Sequence, residues 1–115
     1  METPVKKAEE YYTLVAKRDI EGIKGYLHPD VEFKGPLVSL KGREAVLDAT
    51  KNFMNTFKSL TVRAKIGSDN QAMIVYDVDV PCISPSFFGA SHLSFQDGLI
   101  RKIELYFDGS RFEKK

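Results

Sequence analysis

The chain has 115 residues, 43% of them hydrophobic and 29% charged, with seventeen basic residues against sixteen acidic. That length supports one domain with a real core, spanning 1–115, and excludes two. The balanced charge gives no electrostatic case for nucleic acid or an anionic membrane, and no apolar run is long enough to cross a bilayer.

The first stretch, METPVKKAEEYY, lacks the apolar segment of a signal peptide, so a cytoplasmic location is expected. Thr3 suits an N-cap and Pro4 the first helical position. Val5, Ala8, Tyr12 and Val15 then recur at helical spacing, with Tyr11 and Leu14 widening the apolar stripe. Asp19 caps a second predicted helix running to Leu27, with Ile20, Ile23 and Leu27 inward. His28-Pro29 ends it, because proline disfavours helix at the residue before it. Val31 to Phe33 reads as a short strand cut off by Gly35-Pro36, with a loop through Leu40. The spacing of Val46, Leu47, Thr50, Phe53, Met54 and Phe57 predicts a third helix over 43–57.

Leu60, Val62, Ala64 and Ile66 alternate with Thr61, Arg63 and Lys65, the pattern of a half-buried strand. In the next predicted strand, 71–80, Ile74, Tyr76, Val78 and Val80 oppose Met73, Val75, Asp77 and Asp79. Residues 81–89 (PCISPSFFG) read as irregular, since Pro81 and Pro85 are excluded from a central strand interior. The last third, 91–108, is a hairpin turning at Asp97-Gly98. Its period places Leu93, Phe95, Ile103, Leu105 and Phe107 on one face. His92, Ser94, Lys102, Glu104, Tyr106 and Asp108 fall on the other. Helices followed by long antiparallel strands predict an α+β fold with the helices on one face of the sheet.

Motifs for resident chemistry are missing from the sequence. One cysteine and two histidines, without HxxxH or CxxC spacing, supply no metal set and no disulfide. No GxGxxG, GxxxxGK or GxSxG occurs, so no cofactor is expected and no serine-nucleophile elbow is present.

Three stretches together, YYTLVAKRDIEGIKGYLHPDVEF, KGREAV and SHLSFQDGLIRKIELYFD, resemble the NTF2-like superfamily, in its SnoaL-like and ketosteroid-isomerase-like branch. The resemblance implies a cystatin-like cone: a curved antiparallel sheet with three N-terminal helices covering its concave face. It also implies an internal apolar pocket and a homodimer joined through the outer sheet face. A ketosteroid isomerase needs a carboxylate base beside an oxyanion hole made by a tyrosine and a protonated aspartic acid. On that resemblance the tyrosine falls at Tyr11 or Tyr12, the base at Gly35 and the aspartic acid at Ser91. Two of the three roles are missing, and steroid isomerisation is not expected. Cyclases of the SnoaL type use an aspartate instead. Asp77, Asp79 and Asp108 are the candidates, although period two turns all three away from the apolar face.

Of the two histidines, His28 fits a helix-ending turn. His92 has the chemistry of a general base but the parity of an outer-face residue, where a dimer contact is the simpler role. Buried phenols need partners, and a ligand carbonyl is one such partner. The resemblance, taken with these phenols, therefore implies a pocket bounded by Tyr11 or Tyr12, Tyr26, Phe33, Phe53, Phe57, Ser91 and Leu93, suited to a small apolar molecule carrying a carbonyl or phenol. Whether catalysis occurs there is left open. The competing reading is a non-catalytic dimeric association module whose cone is filled by its own aromatics. Leu99, Ile100, Tyr106 and Val75, expected near the outer sheet face, are the apolar surface either reading offers to a second copy.

Overall fold

The computed structural model describes residues 3–35, 38–80 and 84–106. Its elements run α1 (Pro4–Ala16), α2 (Ile20–Lys24), β1 (Leu27–Lys34), β2 (Ser39–Lys41), α3 (Arg43–Met54), β3 (Ser59–Ser68), β4 (Gln71–Val80), β5 (Ser84–Gln96) and β6 (Leu99–Tyr106). The strands form one open, curved sheet in the order β2-β1-β6-β5-β4-β3. Every neighbouring pair is antiparallel except β1 and β6, which run parallel. The expected α+β architecture is present, with α1 against β3 and β4 and α3 against β1.

Helices α1 and α2 each start at a side chain that accepts from an amide lacking an intrahelical partner. Thr3 accepts from the Lys6 amide and Asp19 from the Gly22 amide. Gly42, at φ 93°, takes a conformation open to glycine, and its own amide donates to Val31 O. The end of α1 is less ordinary. Arg18 N–H bonds Val15 O and Asp19 N–H bonds Leu14 O, the paired contacts of a Schellman motif. The residue in the left-handed position is Arg18, at φ 61°, where glycine is usual. Its guanidinium explains the choice. It donates to Met54 O at 3.0 Å and to Phe57 O at 2.5 Å, and sits 4.6 Å over the Phe57 ring. One side chain thus ends α1 and holds the last turn of α3, which offsets a left-handed strain of about 1–2 kcal/mol.

Local differences from the expected elements have physical causes. Helix α2 stops at Lys24 and α3 at Met54, each short of its expected end. Strand β1 begins at Leu27 and accommodates His28-Pro29 by breaking its ladder with β6 between Leu27 and Glu32. The Ser39–Lys41 stretch, expected as loop and helix approach, pairs with β1 as a short edge strand. Strand β5 begins at Ser84, inside the stretch expected to be irregular. Its ladder with β4 shifts register between Val78 and Val80, paired with Phe87 and Ser84, so Pro85 falls at an irregularity where a regular ladder bond is not required of it.

Two bulges overturn two expected facings. In β3, Val62 pairs with Tyr76 but Ala64 pairs with Val75, leaving Arg63 as an extra residue. Beyond it the parity inverts: Lys65 stands opposite buried Ile74 and bonds Glu9 of α1, while Ile66 faces out and is 70% exposed. In β6, Phe95 pairs with Ile100 and Ser94 with Lys102, so Arg101 is the extra residue. Ile100 is therefore wholly buried with Ile103 and Leu93, contrary to its expected place near the outer face. The turn between β5 and β6 is as predicted, with positive φ at both Asp97 and Gly98 as a type I′ hairpin requires.

The core lies between α1, α3 and the concave face, built from Ala8, Val15, Ile23, Val46, Ile74, Val78, Leu93, Ile100 and Ile103 among others. Helix α1 sits so close to the sheet that a Cβ at Gly67 would lie 2.6 Å from Val5 Cβ. Gly67→Ala should therefore lower unfolding free energy by about 1–3 kcal/mol, an overpacking cost. Because the collision is between β-carbons, adding Val5→Ala should not restore it. Urea melts of the single and double variants check both statements.

Candidate functional site

Residues 11 and 12 are adjacent on α1, so their side chains leave the helix about 100° apart. The helix rests deep in the hollow of the sheet, and both rings are buried. Tyr12 points to the sheet and donates its hydroxyl to Ser91 Oγ at 2.6 Å. Tyr76, on the inward parity of β4, shares a second hydrogen bond with the same oxygen at 2.8 Å. Ser91 is fully buried, which demands that its hydroxyl be satisfied inside the protein. Tyr11 turns instead toward α3, within hydrogen-bonding reach of Thr50, whose own hydroxyl donates to Val46 O. The rings interlock as well. Tyr11 meets Tyr12 edge-on at 5.1 Å, and Tyr12 meets Tyr76 at 5.0 Å.

Of the expected tyrosine pair, then, Tyr12 is the one joined to Ser91, and the structure adds Tyr76. Burial is the largest influence on all three phenols. It pushes Tyr76 up to about 12 and raises Tyr11 and Tyr12 as well, the neighbouring phenols adding to the effect. The hydroxyls are neutral donors and acceptors at physiological pH.

The other sequence candidates sit elsewhere. Tyr26, half-buried, donates to Glu10 Oε1 at 2.9 Å on the flank of α1. Phe53 and Phe57 pack with tilted rings 4.9 Å apart at the end of α3, Phe57 beneath Arg18. Leu93 is wholly buried in the floor of the sheet, opposite Ile103 and Ala72. Phe33 is half-buried beside Gly35. A Cβ at Gly35 would lie 3.4 Å from the Phe33 ring and 3.7 Å from Leu105, the residue paired with Ser91. Position 35 thus faces the interior near the hydroxyl cluster, and glycine there leaves it without a carboxylate.

His92 and the aspartates take the outward parity expected of them. His92 Nδ1 is 3.1 Å from Glu104 Oε1 and Nε2 is 2.6 Å from Gln71 Oε1. The hydrogen bond from His92 holds the Glu104 carboxyl below its ordinary range. Asp77 pairs with Arg63 at 3.4 Å, and Asp79 shares its facing two residues along β4. Asp108 and Phe107 lie outside the described residues. No group of three metal-ligating side chains is assembled among the described residues, and none of the described helices is long and apolar enough to cross a membrane. An open cleft of about 380 Å³, lined by Thr3, Pro4, Val5, Gly67, Ser68 and Asp69, lies about two helical turns from Tyr12 and holds none of the cluster.

A family model described as a SnoaL-like domain matches residues 8–103, which takes in both partners of the Tyr12–Ser91 bond. The chain belongs to the SnoaL-like branch of the NTF2-like superfamily. No curated protein matches it significantly. Among solved structures, a protein from Kribbella flavida DSM 17836 is similar with a TM-score of 0.89 at 21% identity, covering 96% of this chain and 90% of that one. A steroid delta-isomerase from Pseudomonas aeruginosa gives a TM-score of 0.75 at 23% identity over 87% of this chain and 75% of its own. TerC, co-crystallised with polyporic acid, gives 0.80 at 19% identity over 95% and 94%. At these identities the likeness is one of fold. SnoaL-like membership makes this a small-molecule-binding family.

Raised phenol pKa values carry a sign. A neutral tyrosine favoured by the fold adds stability that is complete below its unfolded value near ~10 and is lost as pH rises through the folded value. Stability should hold to about pH 10 and then fall steeply, with Tyr11, Tyr12 and Tyr76 ionising only as the chain unfolds. Phenolate absorbance and circular dichroism followed together over an alkaline titration check this. Three phenols ionising well before the structure melts would contradict it.

Proposed function

We propose that this SnoaL-like chain binds a small, largely apolar molecule bearing a carbonyl or phenol, oriented by the Tyr12, Tyr76 and Ser91 hydroxyls. The buried three-hydroxyl cluster is the observation that carries the reading. Its two hydrogen bonds to Ser91 Oγ consume two of its three protons. The third, on Ser91 or Tyr76, can close a ring through Tyr12, which Tyr76 also reaches, or turn to an acceptor on a ligand. Polar hydroxyls amid apolar walls are the usual composition of a small-molecule site. Phe33, Leu105 and Val62, half-buried around the core, are the apolar walls proposed beside the cluster, with Phe53 and Phe57 beyond them. Kinship in fold with a steroid delta-isomerase and with the polyporic acid-bound TerC supports a ligand of this kind.

Steroid isomerisation is not part of the proposal. Removing a proton next to a carbonyl needs a positioned base. Gly35 supplies none, Ser91 replaces the acid, and His92, Asp77 and Asp79 face out of the cone. The partner reading is a homodimer formed through the outer sheet face. The rival association module, with a filled cone, draws its support from the mutual satisfaction of the hydroxyls.

Displacement of an apolar fluorophore by small ketones and phenols tests the binding. Tyr12→Phe, Tyr76→Phe and Ser91→Ala should each weaken it by about 0.5–1.5 kcal/mol. Failure of every ligand to displace the probe, or affinities untouched by all three changes, would leave the association module standing. A β,γ-unsaturated ketosteroid should show no conversion above background. For the partner reading, light scattering should return twice the chain mass at micromolar concentration, and a monomer mass at all concentrations would remove it.

A further inference from the structure

The concave face of the sheet is covered unevenly. At Gly67 helix α1 presses so close that an added Cβ would lie 2.6 Å from Val5. At Gly35, on the other side of the sheet, the nearest atoms to an added Cβ are Phe33 Cε1 at 3.4 Å and Leu105 Cβ and Cδ2 at 3.7 and 3.8 Å. Those are ordinary contacts, and none of the three comes from a helix. Burial differs in the same sense. Phe33 stands opposite Ile103 and Leu105 opposite Ser91, so both take the inward parity. Ile103 and Ser91 are wholly buried, yet Phe33 and Leu105 are only half-buried. Inward side chains that water still reaches mark the place where the cone is open.

Nothing local requires glycine at position 35. Its φ is not in the left-handed region that Gly42 occupies, and a side chain there meets no collision like the one at Gly67. What glycine leaves is room, bounded by Phe33 and Leu105. The register sets the distance of that room from the hydroxyls. Position 35 continues the inward parity of Phe33 and lies beside Leu105, which pairs with Ser91. Neighbouring strands are about 4.8 Å apart, so position 35 is about 10 Å from Ser91 along one row of the sheet. A ketone oxygen at the Tyr12–Ser91–Tyr76 cluster would set a first ring over Leu105 and a second, fused ring over position 35.

We infer that Gly35 determines the size of molecule this interior accepts, its missing side chain leaving the place of a second ring. The inference rests on the binding reading above and adds the class of ligand, a ketone on two fused rings rather than one.

Acetophenone and β-acetylnaphthalene, which differ by one ring, test it through dissociation constants from NMR titration. The unmodified chain should bind the two-ring ketone more tightly. Gly35→Val should raise the dissociation constant of that ketone roughly tenfold or more and leave acetophenone within about twofold. Gly35→Ala should fall between, and its single methyl, 3.4 Å from the nearest atom, keeps the comparison open where valine disturbs the fold. Equal losses for both ketones, no loss for either, or tighter binding of acetophenone by the unmodified chain overturns the role of Gly35 and leaves the binding reading. Failure of the unmodified chain to bind either ketone overturns both.

Discussion

A helix laid into the hollow of a curved sheet must bury whatever it carries on its lower face, and a buried hydroxyl must find a partner. In this chain the lower face of α1 carries Tyr11 and Tyr12, and the partners are Thr50 on one side and Ser91 with Tyr76 on the other. These bonds fix the height and rotation of α1 more narrowly than apolar contact does, because apolar contact tolerates sliding and hydrogen-bond geometry does not. Around that placement the other polar ties fall at the edges of the helix. Lys7 reaches Gly98 O at the hairpin turn, and Glu9 and Glu10 reach Lys65 and Tyr26. The cone is thus closed by a helix held in place at its centre by neutral groups and at its margins by charged ones.

The same cluster decides what the interior can do. Neutral hydroxyls can donate hydrogen bonds to a developing negative charge, as in an oxyanion hole, but they do not take up a proton as a base would at physiological pH. Arg18 and Lys65 do not enter the cluster, since one is spent on the end of α3 and the other on Glu9. The binding proposed above asks only for these neutral hydroxyls and the apolar side chains around them. The interior lacks, among the described residues, the base that would turn orientation into chemistry.

Much of this was legible in the residues themselves. The Thr3-Pro4 start, the spacing of Ala8, Tyr12 and Val15, and Asp97-Gly98 between alternating runs each report a local preference that the fold obeys. What escaped were features that leave the alternation intact. Leu60, Val62, Ala64 and Ile66 read as one strand face, and nothing in that run marks Arg63 as the residue left out of the ladder. The bulge in β6 did leave a trace, for Ile100 and Ile103 are three apart, a spacing that a regular strand cannot bury on one side. In the site, Tyr12 and Ser91 came from the resemblance, while Tyr76 was read only as an inward-facing strand residue and joined the cluster in the structure. Their meeting depends on how α1 crosses the sheet, which no local pattern encodes. Arg18 gave no signal either, because its left-handed backbone is bought by contacts with a helix end almost forty residues away.

The extra residue in β3 also bears on how this surface changes over evolutionary time. A strand side chain alternates strictly between faces, so one inserted or deleted residue exchanges everything downstream of it. Arg63 is the exception: it is the residue that the ladder leaves out, so loss of its codon would close the bulge and keep Lys65 toward Glu9 and Ile66 on the outer face. Both faces of β3 would then keep their side chains, with Leu60 and Val62 still in the core on one side of the lesion and Ile66 still outward on the other. The surplus residue therefore makes this stretch tolerant of a one-residue deletion that would invert a regular strand.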